Sequence, residues 1–196
     1  MHNKVIISCI KFVQKDYVSI NKQICTTTSS FKMANIEKLE QKLGEVLGLE
    51  MAAQKAVEEL SAKGLLDEAG VKNQIEGMKQ EANNHQKRIG QLVETLSKSE
   101  GLDSQSVQES AKETQQKASQ MMHTYLGEDP DPSEALDFLS LAESGEVIHY
   151  EALNTMAKGI KDMQVTDTVQ SILEEEKKHL MQCIQLVRQS AAGSSS

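Results

Sequence analysis

The stretch from Ser171 to Val187 limits what this chain can fold into more than any other. Val165, Val169, Ile172, Cys183 and Leu186 fall on one line at alternating steps of four and three, the spacing of a single helix face. The same line passes through Glu176 and His179, so both side chains are expected to point inward. An isolated carboxylate in a dry core costs several kcal/mol or takes up a proton. Something else in the chain must therefore meet it: a cation, a metal or hydrogen-bond donors.

Three further stretches carry the same signature. From Ile36 a helix is expected with Leu39, Leu43, Val46, Ala53, Val57 and Leu60 on its seam, and Glu50 falls on that seam. Gly64, Leu65 and Leu66 make a short connection, after which Asp67 or Glu68 favours a new start. The second helix turns Val71, Ile75, Met78, Ala82, Ile89, Leu92 and Leu96 inward, with His85 at the centre of the series. A later helix places Leu136, Leu139, Leu153, Ala157 and Ile160 on its seam and Glu143, Glu146 and Tyr150 in the middle. Two inward carboxylates one turn apart repel each other unless something positive lies between them.

Between Ser99 and Pro132 the chain is too polar for a core helix, yet it has no breaker from Ser104 to Leu126. It reads as an outer crossover helix packing through Met121, Met122 and Tyr125. Asp131 is the expected N-cap of the next helix and Pro132 its first residue. Residues 162–166 are expected to form the last turn before the final helix.

Two prolines in 196 residues, with abundant Ala, Glu, Lys, Gln and Leu, favour long helices and an all-α fold. The net charge of −8 is uneven. Residues 1–33 carry +4 and the remainder −12. An acidic body without a basic stripe excludes nucleic acid as a partner and favours cations. No stretch is long and apolar enough to span a membrane, so no membrane partner is expected. Cys9, Cys25 and Cys183 form no Cys-x-x-Cys pair, which fits a reducing, cytoplasmic setting. Residues 1–33 differ in composition and are expected to be a flexible extension or to precede a true start at Met33; 34–190 form the helical domain and 191–196 a disordered tail.

Glu50, His85, Glu143 with Glu146, and Glu176 with His179 each lie at mid-helix. The separation from Glu50 to His85 is 35 residues and that from Glu143 to His179 is 36, so the two halves look like repeats of one hairpin. Several carboxylates with two imidazoles suit two iron or manganese ions, whereas zinc alone would want fewer acids. Glu58, Glu81, Glu174 and Glu175 are assigned to solvated faces, and His123 and His149 to the surface.

Over residues 36–188 the pattern resembles the ferritin-like di-iron carboxylate superfamily, and within it rubrerythrins and small bacterial stress-associated ferritin-like proteins. The resemblance implies an antiparallel four-helix bundle with an extra crossover helix between the second and third bundle helices. It implies a metal site of Glu50, His85, Glu143, Glu146, Glu176 and His179, holding two iron ions or manganese, with Tyr150 as a catalytic candidate. Helix two departs from the pattern, because Ala82 stands where the Glu of a Glu-x-x-His85 pair belongs. Glu81 would turn inward only if the helix rotated by about 100°. Glu146 is the expected substitute.

The implied activity is oxidation of Fe(II) or reduction of peroxide or O₂ in stress protection, by a homodimer. Rubredoxin-type Cys pairs are absent, so electrons would come from an external donor. The alternative is a metal-free helical stress or scaffold protein on the same fold.

Overall fold

The computed structural model describes residues 35–160 and 162–193. They form five helices and, among the described residues, no strand: α1 (35–62), α2 (Ala69–Ser99), α3 (Ser104–Leu126), α4 (Pro132–Ala157) and α5 (Met163–Gly193). Residues 39–196 make one compact unit; of the other, residues 1–38, only the first turn of α1 is described. The extension expected over residues 1–33 lies outside the described residues. The helix α5 runs three residues into the expected tail, since Ala191 and Ala192 are strong helix formers. No helix of the described residues is long and apolar enough to cross a membrane.

Local chemistry sets most of the boundaries. α1 ends in a Schellman motif, in which Leu65 N–H donates to Leu60 O at 3.1 Å and Gly64 N–H to Ser61 O at 3.0 Å. Gly64 takes φ +72°, a conformation that costs a residue without Cβ little. Asp103 caps α3 by accepting from Gln105 N–H at 2.9 Å, and its own N–H donates to the buried Glu40 of α1 at 2.7 Å. Asp131 caps α4 as expected, in a full capping box with Glu134, and Pro132 opens the helix. The start of α5 departs from expectation: residues 163–166 are already helical, because Asp162 accepts from Gln164 N–H at 2.8 Å and so caps the helix. α4 stops at Ala157, which leaves Ile160 in the connection, half-buried against the core.

The apolar seams fuse into two clusters. One joins the start of α1 (Leu43, Val46), the end of α2 (Ile89, Leu96), the end of α4 (Leu153) and the start of α5 (Val169). The other joins the end of α1 (Leu60), the start of α2 (Ile75), the start of α4 (Leu139) and the end of α5 (Leu186). Hence α1 and α5 run one way and α2 and α4 the other. Two consecutive core helices with the same direction need a return path. α3 supplies it, with Val107 and Ala111 in the first cluster and Met122 and Leu126 in the second. Of its expected packing residues, Met122 alone is buried. Met121 is 62% exposed, and Tyr125, half exposed, leans on Phe138 with ring centroids 5.8 Å apart.

α3 reaches α1 through two glycines. A Cβ on Gly44 would lie 2.5 Å from Ser110 Cβ and 2.7 Å from Val107 O, and one on Gly48 would collide with Ala111 O. The obstacles are largely backbone, so they cannot swing aside. Gly48→Ala is therefore expected to destabilise the protein by about 1–3 kcal/mol, the usual cost of overpacking. Gly77→Ala, which meets nothing within 4 Å, should raise stability by about 0.5–1 kcal/mol. Thermal melts of the two variants check both; a Gly48→Ala variant that melts with the wild type would remove the close contact.

Candidate metal centre

Between the two apolar clusters lies a polar layer built from the middle of α1, α2, α4 and α5. Glu50, His85, Glu143, Glu146, Glu176 and His179 are all buried there, so the expected residues do come together. Their ligand atoms converge in two groups, Glu50 with His85 and Glu176, and Glu143 with His179 and Glu176, each within 4.8 Å. Glu176 belongs to both. Its Oε1 lies 2.6 Å from His85 Nδ1 and its Oε2 3.4 Å from His179 Nδ1. Glu50 Oε1 stands 3.3 Å from His85 Nδ1, and Glu143 Oε2 3.7 Å from His179 Nδ1. The imidazoles stack with centroids 5.8 Å apart.

The outer ring nitrogens are held by residues that the sequence pattern assigned to solvent. Glu175 of α5 sits with Oε2 2.7 Å from His85 Nε2 of α2, and Glu81 of α2 meets His179 Nε2 of α5. Each Glu lies one turn ahead of the His on its own helix and serves the His on the other. No helix rotation is needed, because Glu is long enough to reach around from the neighbouring face. The side chain of Glu175 is further fixed by Arg88 at 3.1 and 3.3 Å and by Ser171 Oγ at 3.0 Å. A carboxylate on Nε2 takes that nitrogen's proton bond and turns Nδ1 toward the centre of the layer.

Five buried atoms there make no well-aligned hydrogen bond, Glu50 Oε2, His85 Nδ1, Glu143 Oε2 and both oxygens of Glu176, although His85 Nδ1 and Glu176 Oε1 stand 2.6 Å apart as an ion pair. Buried polar atoms are normally satisfied, so this convergence of orphans fits a cation. Without one, the layer holds protons instead. Burial would lower the pKa of His85, but Glu176 and Glu50 outweigh it and raise it to about 10; His179 is likewise raised to about 9, chiefly by Glu176. Burial pushes Glu176 up, yet His179 and His85 bring it down to about 2. Burial, with Glu176 adding to it, raises Glu50 to about 7 and lifts Glu143 and Glu146 well above the usual carboxylate range.

Tyr150 is buried and donates to Glu50 Oε1 at 2.6 Å, a position from which it orients that carboxylate. His123 is exposed, as expected. His149 is half exposed, and its Nδ1 lies 3.2 Å from Glu45 Oε2. Cys183 is a buried thiol whose pKa burial pushes up, so it is unreactive. Glu146 is in the layer but in neither ligand group. It lines, with Ala82, Glu143 and His179, a cavity of about 210 Å³. The small Ala82 leaves room where a Glu side chain would stand.

A model of a family described as a domain of unknown function, DUF892, matches residues 35–194, which spans all five helices. The chain belongs to the DUF892 family. No curated protein and no solved structure matches it. The buried Glu and His groups of this DUF892 chain could hold a metal ion; the family description assigns no activity to them.

The protons in the layer make stability depend on pH. His85 and His179 have folded pKa values above the unfolded 6.5, so their contribution is fully present below pH 6.5 and is lost as pH rises through about 9 and 10. Glu50, raised from 4.5 to about 7, acts in the same direction at lower pH. Glu176 acts oppositely, and its contribution is lost as pH falls from 4.5 toward 2. Denaturant melts of metal-free protein are expected to show falling stability from pH 6.5 to 10, and a flat profile would refute the imidazole–carboxylate contacts.

Proposed function

We propose that this DUF892 chain is a ferritin-like four-helix bundle that binds two iron or manganese ions and oxidises Fe(II) or reduces peroxide or O₂ in protection against oxidative stress. The single observation that carries this reading is the convergence of orphaned carboxylate and imidazole atoms in two groups sharing Glu176. The run of the helices, with α3 as the crossover, supports the resemblance to ferritin-like proteins.

Glu50 with His85 would hold one ion and Glu143 with His179 the other, with Glu176 spanning both. Carboxylates and imidazoles suit iron and manganese. Two divalent ions bring four positive charges, and Glu50, Glu143, Glu146 and Glu176 offer four negative ones. The chemistry such ions supply when bound is a one-electron change each, between Fe(II) and Fe(III), directed at peroxide or O₂. The chain does the rest. Glu81 and Glu175 keep each Nδ1 aimed inward, Tyr150 orients Glu50, and the two apolar clusters exclude water from either side. An external donor returns the electrons, and the protein works as a cytoplasmic homodimer.

Ala82 favours a second reading, a helical stress or scaffold protein without metal, since the bridging carboxylate expected there is absent and protons can occupy the layer. Metal content separates the two. Protein saturated with ferrous iron under argon and then desalted is expected to retain about two ions per chain; a value near zero sinks the first reading.

Three further outcomes follow from the geometry. His179→Ala should weaken metal binding by roughly 10- to 100-fold or more, the scale on which supporting groups already act, while helicity persists. Because metal replaces protons on His85, His179 and Glu50, the rise in melting temperature on adding ferrous iron or Mn(II) should grow from pH 6 to pH 9. Ala82→Glu should destabilise metal-free protein by burying an unpaired acid and be rescued by ferrous iron; destabilisation that iron does not relieve supports the scaffold.

A further inference from the structure

An apolar cluster closes the polar layer at either end of the bundle, so a cation has to reach it from the side. The flanks differ in what they offer. On the cavity flank an ion would shed its water along a wall of Ala53, Ala82, Ala118 and Ala142 before meeting the buried Glu143, Glu146 and His179. Between α1 and α4 stands Glu45, but its carboxylate is already taken by Lys42 and by His149 Nδ1, the latter at 3.2 Å. The seam between α2 and α5 is different, because Glu81 and Glu175 each join an imidazole of the layer to the surface there.

To a cation these two carboxylates are unlike. Arg88 Nη1 lies 3.1 Å from Glu175 Oε2, so a guanidinium charge stands at that point of approach and repels a divalent ion. Both oxygens of Glu175 are engaged, by Arg88, Ser171 Oγ and His85 Nε2. Glu81 meets His179 Nε2 and, among the described residues, pairs with no Lys or Arg. Lys79, two residues earlier, pairs with Glu58 instead at 3.2 Å. With its side chain 59% exposed, Glu81 has water on one side and an imidazole of the layer on the other.

We propose that Glu81 is the entrance residue of the metal centre, capturing a divalent cation from water and passing it by the ring of His179 to the group of Glu143, Glu176 and His179. The inference rests on the proposed metal centre and adds the path by which it fills. A charge at the rim of a site acts on the association rate and its salt dependence. The −12 carried by residues 34–196 draws cations to the whole surface. An entrance is therefore recognised by comparing two residues of equal charge and equal support to an imidazole, which Glu81 and Glu175 provide.

The probe is Co(II), which stands next to Fe(II) in the divalent affinity series and whose visible absorption reports ligation. It is mixed with metal-free full chain in a stopped-flow instrument, and the rise of absorption is followed. Glu81→Gln and Glu175→Gln each remove one charge beside one imidazole and each keep an oxygen that accepts from Nε2–H, so any loss of support is common to both. Glu81→Gln is expected to slow association by roughly fivefold or more, and Glu175→Gln by less than about twofold. Added salt should slow the wild type more than Glu81→Gln. Equal slowing in the two variants, or a Glu81→Gln chain that associates as the wild type does, overturns the proposal. Wild-type chain that takes up no Co(II) overturns the metal centre and its entrance together, whereas Co(II) uptake with an unchanged rate in Glu81→Gln overturns the entrance alone.

Discussion

The structure depends on a polar layer placed across the middle of an apolar interior. Six acid and imidazole residues interrupt the seams of α1, α2, α4 and α5 at the same height, so the core exists as two clusters rather than one. Four carboxylates at that height cannot all be ionised in a dry interior. They need cations, protons or both, and the chain answers with two histidines and a set of high pKa values. A purely apolar layer would stabilise the fold more cheaply. The cost is intelligible where the layer has a ligand to hold.

The two apolar clusters on either side of the layer show α2 and α4 running in the same direction, and α3 carries the chain back between them. Its contact with α1 is specialised for that role. Gly44 and Gly48 let the two backbones approach closely, while the Asp103 N–H bond to Glu40 fixes where the return path begins.

Much of this is legible in the sequence because burial on a helix follows its period. Glu50, His85, Glu143, Glu146, Glu176 and His179 all sit on their seams and are all buried. Asp131 and Pro132 announce the start of α4 by local chemistry. What the period misses is reach. Glu81 and Glu175 lie one position off their seams, and a face-by-face reading leaves them in water, yet a long side chain covers the distance to an imidazole. Their equal offset from His85 and His179 was the available signal. The close approach of α3 to α1 was hidden for another reason, since glycines inside a helix carry no apolar period. Met121 and Tyr125 look like packing residues by hydrophobicity, but α3 turns Val107, Ala111 and Leu126 inward instead. Ala82 was legible as a gap, though not as the opening of a cavity, which depends on the alanines opposite it.

The two carboxylates behind the imidazoles are alike in pattern and unlike in stiffness. Glu175 is gripped by Arg88 and Ser171, and Arg88 is tied in turn to Thr168 O, so the ring of His85 stands in a rigid frame. Glu81 has a side chain 59% exposed, and His179 is the one partner found for it among the described residues. The ring of His179 therefore rests on a support that water can loosen. The two halves of the layer are mechanically inequivalent. The side served by α2 can yield to a change of charge or size at the centre, while the side served by α5 keeps its shape and gives that change something to move against.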